Sequence, residues 1–196
     1  MKKRSKKRWV LIFAFVAVCC ILIVLAPFLL KIFVVQAFKI PTGFMKPTLL
    51  AGDHIFVDKL PKSIDKIERG DIIVFSFPPN PSTDYLKRVV GLPGDLIQIK
   101  DKKVYVNKDL LKEDYVIHTE KKTIPEGVMP RDNSGPIRVP DVSLFVLGDN
   151  RDASFDSRFW GVVDLRTVKG KVTRIYWSWD KENYQVRWDR IGQKVH

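Results

Sequence analysis

The chain has 196 residues, of which 45% are hydrophobic and 29% are charged, and its formal net charge is +12. This length allows one membrane anchor and one modest globular domain. Eight of the 34 basic residues precede Ile40, and the first acidic residue is Asp53, so residues 40–196 carry only four more basic than acidic side chains. The positive charge therefore belongs to the amino-terminal segment, and no nucleic-acid partner is predicted for the body.

The amino-terminal segment has the pattern of a membrane anchor. Six basic side chains within residues 1–8 precede an uncharged run of 22 residues, 9–30. At about 1.5 Å per residue, a helix of this length spans the roughly 30 Å hydrocarbon core. Because basic flanks stay in the cytoplasm, we expect residues 1–8 to be cytoplasmic, 9–30 to span the cytoplasmic membrane once, and 31–196 to form an extracytoplasmic body.

A cleaved signal peptide is the alternative explanation of this apolar run. Such a peptide has an apolar core of about 7–15 residues, followed by a site with small residues. Here the apolar character continues through residues 32–35, and no small-residue site ends it. The sequence therefore favours an anchor that is retained.

Cysteine and histidine give no sign of a metal or a disulfide in the body. Cys19 and Cys20 both lie in the apolar run, which excludes a disulfide framework outside it. The three histidines, His54, His118 and His196, are far apart and lack the spacing of zinc ligands. No metal and no cofactor are predicted.

The body reads as a series of short strands separated by turn residues. Apolar or alternating segments predict strands at 54–59, 72–77, 85–90, 96–99, 103–106, 144–147 and 172–179. The continuously apolar segment 72–77 predicts a buried strand, and 96–99 and 103–106, joined by Lys100-Asp101-Lys102, are predicted to form a hairpin. Residues 32–40 fit either a helix extension or an entering strand. Residues 78–84 contain three prolines and are predicted to be a loop, and the charged segment 107–136 is predicted to be an inserted excursion. The fold class is therefore mostly β, with large loops.

Three segments of the body carry a family resemblance. They are residues 40–53 (IPTGFMKPTLLAGD), 85–95 (YLKRVVGLPGD) and 148–161 (GDNRDASFDSRFWG). Together with the preceding apolar run, they resemble the signature segments of bacterial type I signal peptidases, and the similarity extends to about Ile175. The resemblance implies a β-sheet or barrel body that removes signal peptides from secreted precursors, using a serine nucleophile and a lysine base. The implied partners are those signal peptides and the lipid bilayer, and nothing in the sequence indicates an oligomeric state.

Lys87 matches the lysine base of that family. A lysine accepts a proton near neutral pH only if burial destabilises its ammonium form. The flanking residues Leu86, Val89 and Val90 are apolar, which makes such burial expected. The alternative is an ordinary strand lysine with its ammonium group in water.

The segment 148–161 matches the loop that supports the base. By resemblance, Ser154 is the serine that hydrogen-bonds and orients the lysine, and Asp156 and Arg158 are a pair that braces the loop. On composition alone, the same residues also fit a solvated charged turn. The match to the whole segment favours the supporting loop.

The departure from the family pattern is Phe44. The family has serine between glycine and methionine, whereas this chain reads Gly43-Phe44-Met45. Phenylalanine has no nucleophilic atom and cannot form an acyl-enzyme. By resemblance, the Thr42 hydroxyl and the Phe44 backbone N–H polarise the scissile carbonyl. Thr42 is a poor replacement nucleophile, because extended residues two apart are separated by about 6–7 Å, beyond the reach of one general base.

The sequence therefore leaves competing functional hypotheses. The first is a membrane-bound serine endopeptidase scaffold, a hydrolase by resemblance, with turnover impaired because position 44 lacks the nucleophile. The second is a catalytically inactive homologue that binds signal peptides or assists an active paralogue. The third is a membrane-tethered basic adaptor unrelated to proteolysis. A related expectation is that four apolar residues near the end of the anchor contact lipid: Phe33, Phe38, Phe44 and Met45. The alternative for Met45 is that it packs in the core.

Overall fold

The computed structural model describes residues 15–23, 35–59 and 67–196. The chain divides into two compact units, Met1–Gln36 and Ala37–His196. In the first unit, residues 15–23 are helical. No helix within the described ranges is both long and apolar enough to cross a membrane. The predicted cytoplasmic segment 1–8, and much of the predicted span, lie outside the described residues.

The described residues form twelve strands in two sheets. In chain order they are β1 (Val35–Lys39), β2 (Asp53–Asp58), β3 (Ile72–Phe77), β4 (Asn80–Gly91), β5 (Leu96–Lys100), β6 (Lys103–Val106), β7 (Asp109–Leu110), β8 (Ser134–Arg138), β9 (Ser143–Leu147), β10 (Val163–Asp164), β11 (Val168–Asp180) and β12 (Gln185–Val186). The larger sheet has the order β1-β2-β11-β3-β4-β9-β10, with β12 paired to β11. The smaller sheet has the order β7-β6-β5-β8. The mostly β prediction is confirmed.

Strand β3 lies at the centre of the apolar core. Ile72 and Val74 belong to one buried cluster, whereas Ile73 and Phe75 belong to another. Successive side chains of a strand point to opposite faces, so β3 is buried on both. This explains why its sequence is continuously apolar and not alternating. Its partner β4 carries the candidate lysine, with Lys87 opposite Ile73.

The smaller sheet is built on the predicted hairpin of β5 and β6. Asp101 and Lys102 join the two strands, and both have positive φ, 49° and 68°. Two such residues are typical of a tight turn that matches the twist of a hairpin. Residues 107–136 contain β7 and the first part of β8, so this segment supplies the two outer strands of the smaller sheet.

The prediction that residues 78–84 form a loop was wrong. The turn occupies residues 78–79, and β4 begins at Asn80. In this hairpin Phe77 pairs with Asn80 and Ser76 with Asp84, with an irregularity in register between them. Such an irregularity tolerates Pro81, which has no N–H to donate. Pairing with β3 thus outweighs a composition that favours a loop.

The other predicted strands are confirmed with small changes at their ends. The open alternative for residues 32–40 resolves as a strand over Val35–Lys39, while residues 32–34 lie outside the described ranges. Strand β11 begins at Val168, ahead of the predicted Val172. A four-residue helix, Ser157–Trp160, follows β9 inside the polar segment 148–161.

Candidate active site

Lys87 is buried in the middle of the larger sheet. Only 2% of the residue is exposed, and Val89 on the same strand is fully buried. Leu86 packs, partly buried, against the first apolar cluster. Desolvation by this burial lowers the pKa of Lys87 from 10.5 to about 8, although the Asp156 carboxylate opposes the shift. The expected burial of Lys87 is therefore confirmed.

Aromatic rings surround the Lys87 ammonium group. Its Nζ lies 5.0 Å from the centroid of the Phe44 ring and 5.7 Å from that of Tyr85. No residue in the described part of the chain forms a hydrogen bond or an ion pair with this nitrogen. The position that holds serine in the family thus lies directly beside the lysine, in contact through a ring and not a hydroxyl.

The turn that carries Phe44 is attached on two sides. The Phe44 carbonyl accepts a hydrogen bond from the Asn150 backbone N–H at 3.1 Å, and the Gly43 carbonyl accepts one from Asn150 Nδ2 at 3.3 Å. On the other side, Met45 and Leu49 are buried in the first apolar cluster. The backbone around Phe44 is therefore fixed between the core and the segment 148–161.

The prediction that Met45 contacts lipid was wrong. Met45 is only 3% exposed, because the turn directs it into the same cluster as Leu49. Phe38 also packs, partly buried, against this cluster. Phe44 is 38% exposed and faces the cleft that contains Lys87. Phe33 lies outside the described residues.

The segment 148–161 is held by a buried ion pair and not solvated. Arg158 Nε donates to Asp156 Oδ1 at 2.7 Å, and both side chains are almost fully buried. Arg158 also donates to the carbonyls of Arg131 and Arg151, at 2.8 and 2.7 Å. Asp156 Oδ2 accepts from the Gly148 N–H at 3.1 Å. These bonds use the donors and acceptors that would otherwise be orphaned in the interior.

Ser154 lies in this segment, but it does not make the expected hydrogen bond to Lys87. Its Oγ is buried and has no hydrogen-bond partner among the residues described. A methyl group placed on Gly148 would lie 2.2 Å from Ser154 Oγ and 2.8 Å from the Phe44 carbonyl oxygen. Ser154 and the Phe44 backbone therefore converge on Gly148, while the lysine nitrogen lies against the Phe44 and Tyr85 rings.

A second buried ion pair, which sequence reasoning missed, connects the three family-like segments. Arg88 Nε and Nη2 donate to the two carboxylate oxygens of Asp149 at 2.8 and 2.7 Å. Thr48 Oγ1 donates to Asp149 Oδ2 at 2.5 Å. The location of Arg88 and Asp149 inside two of the segments was the available signal. Their pairing was not visible, because 61 positions separate them.

The candidate site opens into a cleft of about 290 Å³, lined by residues 38–42, 44–45, 74 and 83–87. Strand β4 pairs with β9 only from Arg88 to Gly91. Within the described residues, Asp84–Lys87 therefore have no neighbouring strand on that side. One wall of the cleft is thus an open strand edge, with Lys87 at its end.

Two hydrogen-bond donors of the cleft belong to the turn. Thr42 is exposed and lines the cleft together with Phe44. No acceptor for the Phe44 backbone N–H occurs among the residues described. Their predicted role in polarising a carbonyl stays a prediction.

The arrangement offers limited chemistry. Lys87 can exchange a proton, and the turn can donate hydrogen bonds to a carbonyl, but position 44 supplies no attacking atom. In the described ranges, no group of three or more His, Cys, Asp or Glu side chains is placed to hold a metal ion. A buried lysine beside a turn that lines a cleft, in a mostly β body, is compatible with the class of peptidase scaffolds that use a lysine base.

Comparisons with known proteins identify the family within that class. The family model described as "Signal peptidase, peptidase S26" matches residues 8–177, so the chain belongs to the signal peptidase family S26. Signal peptidase I of Bacillus caldolyticus is 38% identical over 189 residues, covering 94% of this chain and 97% of that protein. Signal peptidase I of Pseudomonas aeruginosa is 36% identical over 206 residues, covering 83% of this chain and 72% of that protein. A crystal structure of a signal peptidase I from Enterococcus faecalis is 38% identical and has a TM-score of 0.46, covering 57% of this chain and all of that one.

Proposed function

We propose that the cleft binds the segment of an exported precursor that contains the end of its signal peptide. The observation that carries this proposal is the buried Lys87 at the end of the open β4 edge. An extended peptide can add to such an edge through backbone hydrogen bonds, with its side chains in pockets below. The cleft lining includes Ile40, Val74 and Leu86, which suits small apolar side chains.

Each candidate residue receives a role in this proposal. Lys87 is the general base, and Ser154 orients it once the serine hydroxyl and the ammonium group approach each other. The Thr42 hydroxyl and the Phe44 N–H polarise the peptide carbonyl. The Asp156–Arg158 pair holds the supporting loop in place, and its buried hydrogen bonds support this role.

We expect cleavage by this chain to be impaired, because Phe44 occupies the position of the nucleophile. Removing a catalytic nucleophile typically lowers the rate by several orders of magnitude, which leaves only the contribution of binding and polarisation. In addition, a lysine with a pKa of about 8 is mainly protonated at pH 7. The faces of two aromatic rings further favour the ammonium form, which cannot act as a base.

The location follows from the amino-terminal pattern. We place residues 9–30 across the cytoplasmic membrane and residues 31–196 on its outer face, where precursors emerge. The six basic residues before an uncharged run of 22 support this orientation. When the chain is expressed in a bacterium, protease added to intact spheroplasts should degrade the body. Complete protection of the body would contradict the proposed orientation and place the body in the cytoplasm.

The decisive experiment restores the nucleophile. The purified chain, its Phe44→Ser variant and the double variant Phe44→Ser with Lys87→Met are incubated with a labelled secretory precursor. We expect cleavage by the single variant alone. Cleavage by the parent chain would mean that another hydroxyl attacks, with Thr42 the first to test. Cleavage by the double variant would refute Lys87 as the base of this site. Absence of cleavage by all three would count against the peptidase scaffold as a whole.

An inactive binding protein is the second candidate function. The observation in its favour is that the cleft and its buried lysine persist around an aromatic ring that cannot react. This candidate predicts that the parent chain binds a precursor peptide and slows its cleavage by an added active signal peptidase. If cleavage proceeds at the same rate with excess parent chain present, competition for the precursor is excluded.

A further inference from the structure

We propose that the cleft prefers a peptide that ends in a free carboxylate beside Phe44, which is the chemistry of a released signal peptide and not of an intact precursor. This inference rests on the proposed function, since it assumes that the cleft holds the signal-peptide end. In an intact precursor bound in the cleft, the group beside Phe44 is the neutral carbonyl of a peptide bond. Once an active peptidase has cut that bond, the same group of the released peptide is a carboxylate with a negative charge.

The first argument is that Lys87 is a buried cation whose neighbouring carboxylates are already paired. Asp156 lies 2.7 Å from Arg158, and Asp149 lies 2.7 Å from Arg88. Taking a charge out of water is costly unless a partner compensates it. Within the described residues no side chain fills that role for Lys87, so an anionic ligand would supply the missing partner.

The second argument concerns the two aromatic rings. Phe44 and Tyr85 face the ammonium group at 5.0 and 5.7 Å from their centroids. Ring faces stabilise a cation without neutralising it and without occupying its hydrogen-bond donors. Phenylalanine in place of serine thus removes the attacking atom and retains the positive charge, a combination that suits a receptor for anions.

The third argument is the supply of donors around that charge. Thr42, which carries a hydroxyl, and Phe44, which carries a backbone N–H, line the same cleft as Lys87. A carboxylate has two oxygens that accept several hydrogen bonds, and bonds to a charged acceptor are roughly twice as strong as neutral ones. An amide carbonyl has one oxygen and does not neutralise the ammonium group.

The cleft also contains an internal control for nonspecific charge attraction. Lys39 lines the same cleft but is exposed. Asp84, the cleft's acidic residue, is paired with Lys169 at 2.6 Å. A peptide attracted only by the general charge of the cleft would respond to Lys39 as much as to Lys87.

The test uses two fluorescent peptides of identical sequence that end in alanine, one as the free acid and one as the carboxamide. Binding to the full chain in detergent micelles is measured by fluorescence anisotropy. At pH 7 we expect the acid to bind about tenfold more tightly than the amide. Lys87→Met should lower the affinity for the acid to that for the amide, whereas Lys39→Met should preserve the ratio.

Raising the pH provides a check that needs no variant. The charged groups around the ammonium are Asp156, Arg158 and Asp149, and all three are held in buried pairs. As the pH rises through about 8, Lys87 loses its proton and the preference for the acid should fall. Equal binding of both peptides to the parent chain would overturn this inference and leave the proposed function intact. Binding of neither peptide would count against the proposed function itself.

Discussion

Lys87 and Arg88 are consecutive residues of β4, and their side chains lie in two very different regions of the molecule. Both are almost fully buried. Arg88 donates to both oxygens of Asp149, to Thr48 Oγ1 and to the carbonyls of Gly70 and His196. In the described part of the chain, Lys87 has neither a hydrogen bond nor an ion pair.

This difference separates a structural charge from a functional one. A buried cation whose donors are all used holds segments of the chain together, and Arg88 does so for all three family-like segments. A buried cation with free donors carries a cost in stability that folding alone does not explain. Such a group, located in a cleft, is a candidate for proton transfer or ligand binding.

The largest expected effect comes from removing the structural charge. Arg88→Met leaves Asp149 buried without its bidentate partner, and breaking a buried pair typically costs about 3–5 kcal/mol. The free energy of unfolding, measured by urea titration followed by circular dichroism, should fall by an amount in this range. If Arg88→Met is as stable as the parent, the assignment of Arg88 as the structural charge is wrong.

A somewhat smaller loss of stability is expected at Gly148, where Ser154 and the Phe44 backbone approach each other. Gly148→Ala places a methyl group 2.2 Å from Ser154 Oγ and 2.8 Å from the Phe44 carbonyl oxygen. Overpacking of this kind costs about 1–3 kcal/mol. In the Phe44→Ser background it should also lower the cleavage rate, because the turn and the supporting loop are pushed apart.

Replacing Lys87, the candidate functional charge, should change the free energy of unfolding in the opposite direction at neutral pH. Burial depresses the pKa of Lys87 to about 8, so between pH 8 and 10.5 the unfolded chain binds more protons than the folded one. Stability due to this group therefore rises with pH across that window and is lowest below it. We expect Lys87→Met to match or exceed the parent at pH 7 by about 1 kcal/mol, and to lose this advantage by pH 10.5.

The unfolding free energies of both proteins, measured across this pH range, give that difference directly. A difference that is constant from pH 7 to 10.5 would contradict the depressed pKa.

The smallest effect is expected at the surface. Arg166 pairs with Asp164, and their side chains are 80% and 36% exposed. Exposed pairs contribute little because water and salt screen them. Arg166→Ala should leave the midpoint of urea unfolding unchanged, and a clear shift would show that burial is not what distinguishes Arg88.

The sequence was informative where a local pattern determines the structure. The apolar run of β3 and the flanks of Lys87 correctly predicted burial, and Asp101-Lys102 marked the hairpin turn of the smaller sheet. The loop prediction for residues 78–84 was wrong because strand pairing outweighed their prolines. The prediction of lipid contact for Met45 was wrong because the direction of its side chain depends on the path of the whole turn.

Contacts between distant segments could not be predicted. The Arg88–Asp149 pair joins positions 61 apart, and no periodicity links them. The place of Ser154 in the loop that supports the base was implied by the family-like segments. Its unpaired hydroxyl was not, because hydrogen bonding there depends on where the lysine nitrogen lies once a ring replaces the expected serine.

The short open edge at Asp84–Lys87 has a consequence for solubility. Unpaired strand edges invite other chains to add and begin aggregation, and long flat apolar edges are the most hazardous. This one is brief, includes an acidic residue and ends at a buried cation. In the proposed function it binds one extended peptide, yet it offers too little backbone, and too much charge, to nucleate the growth of a fibril.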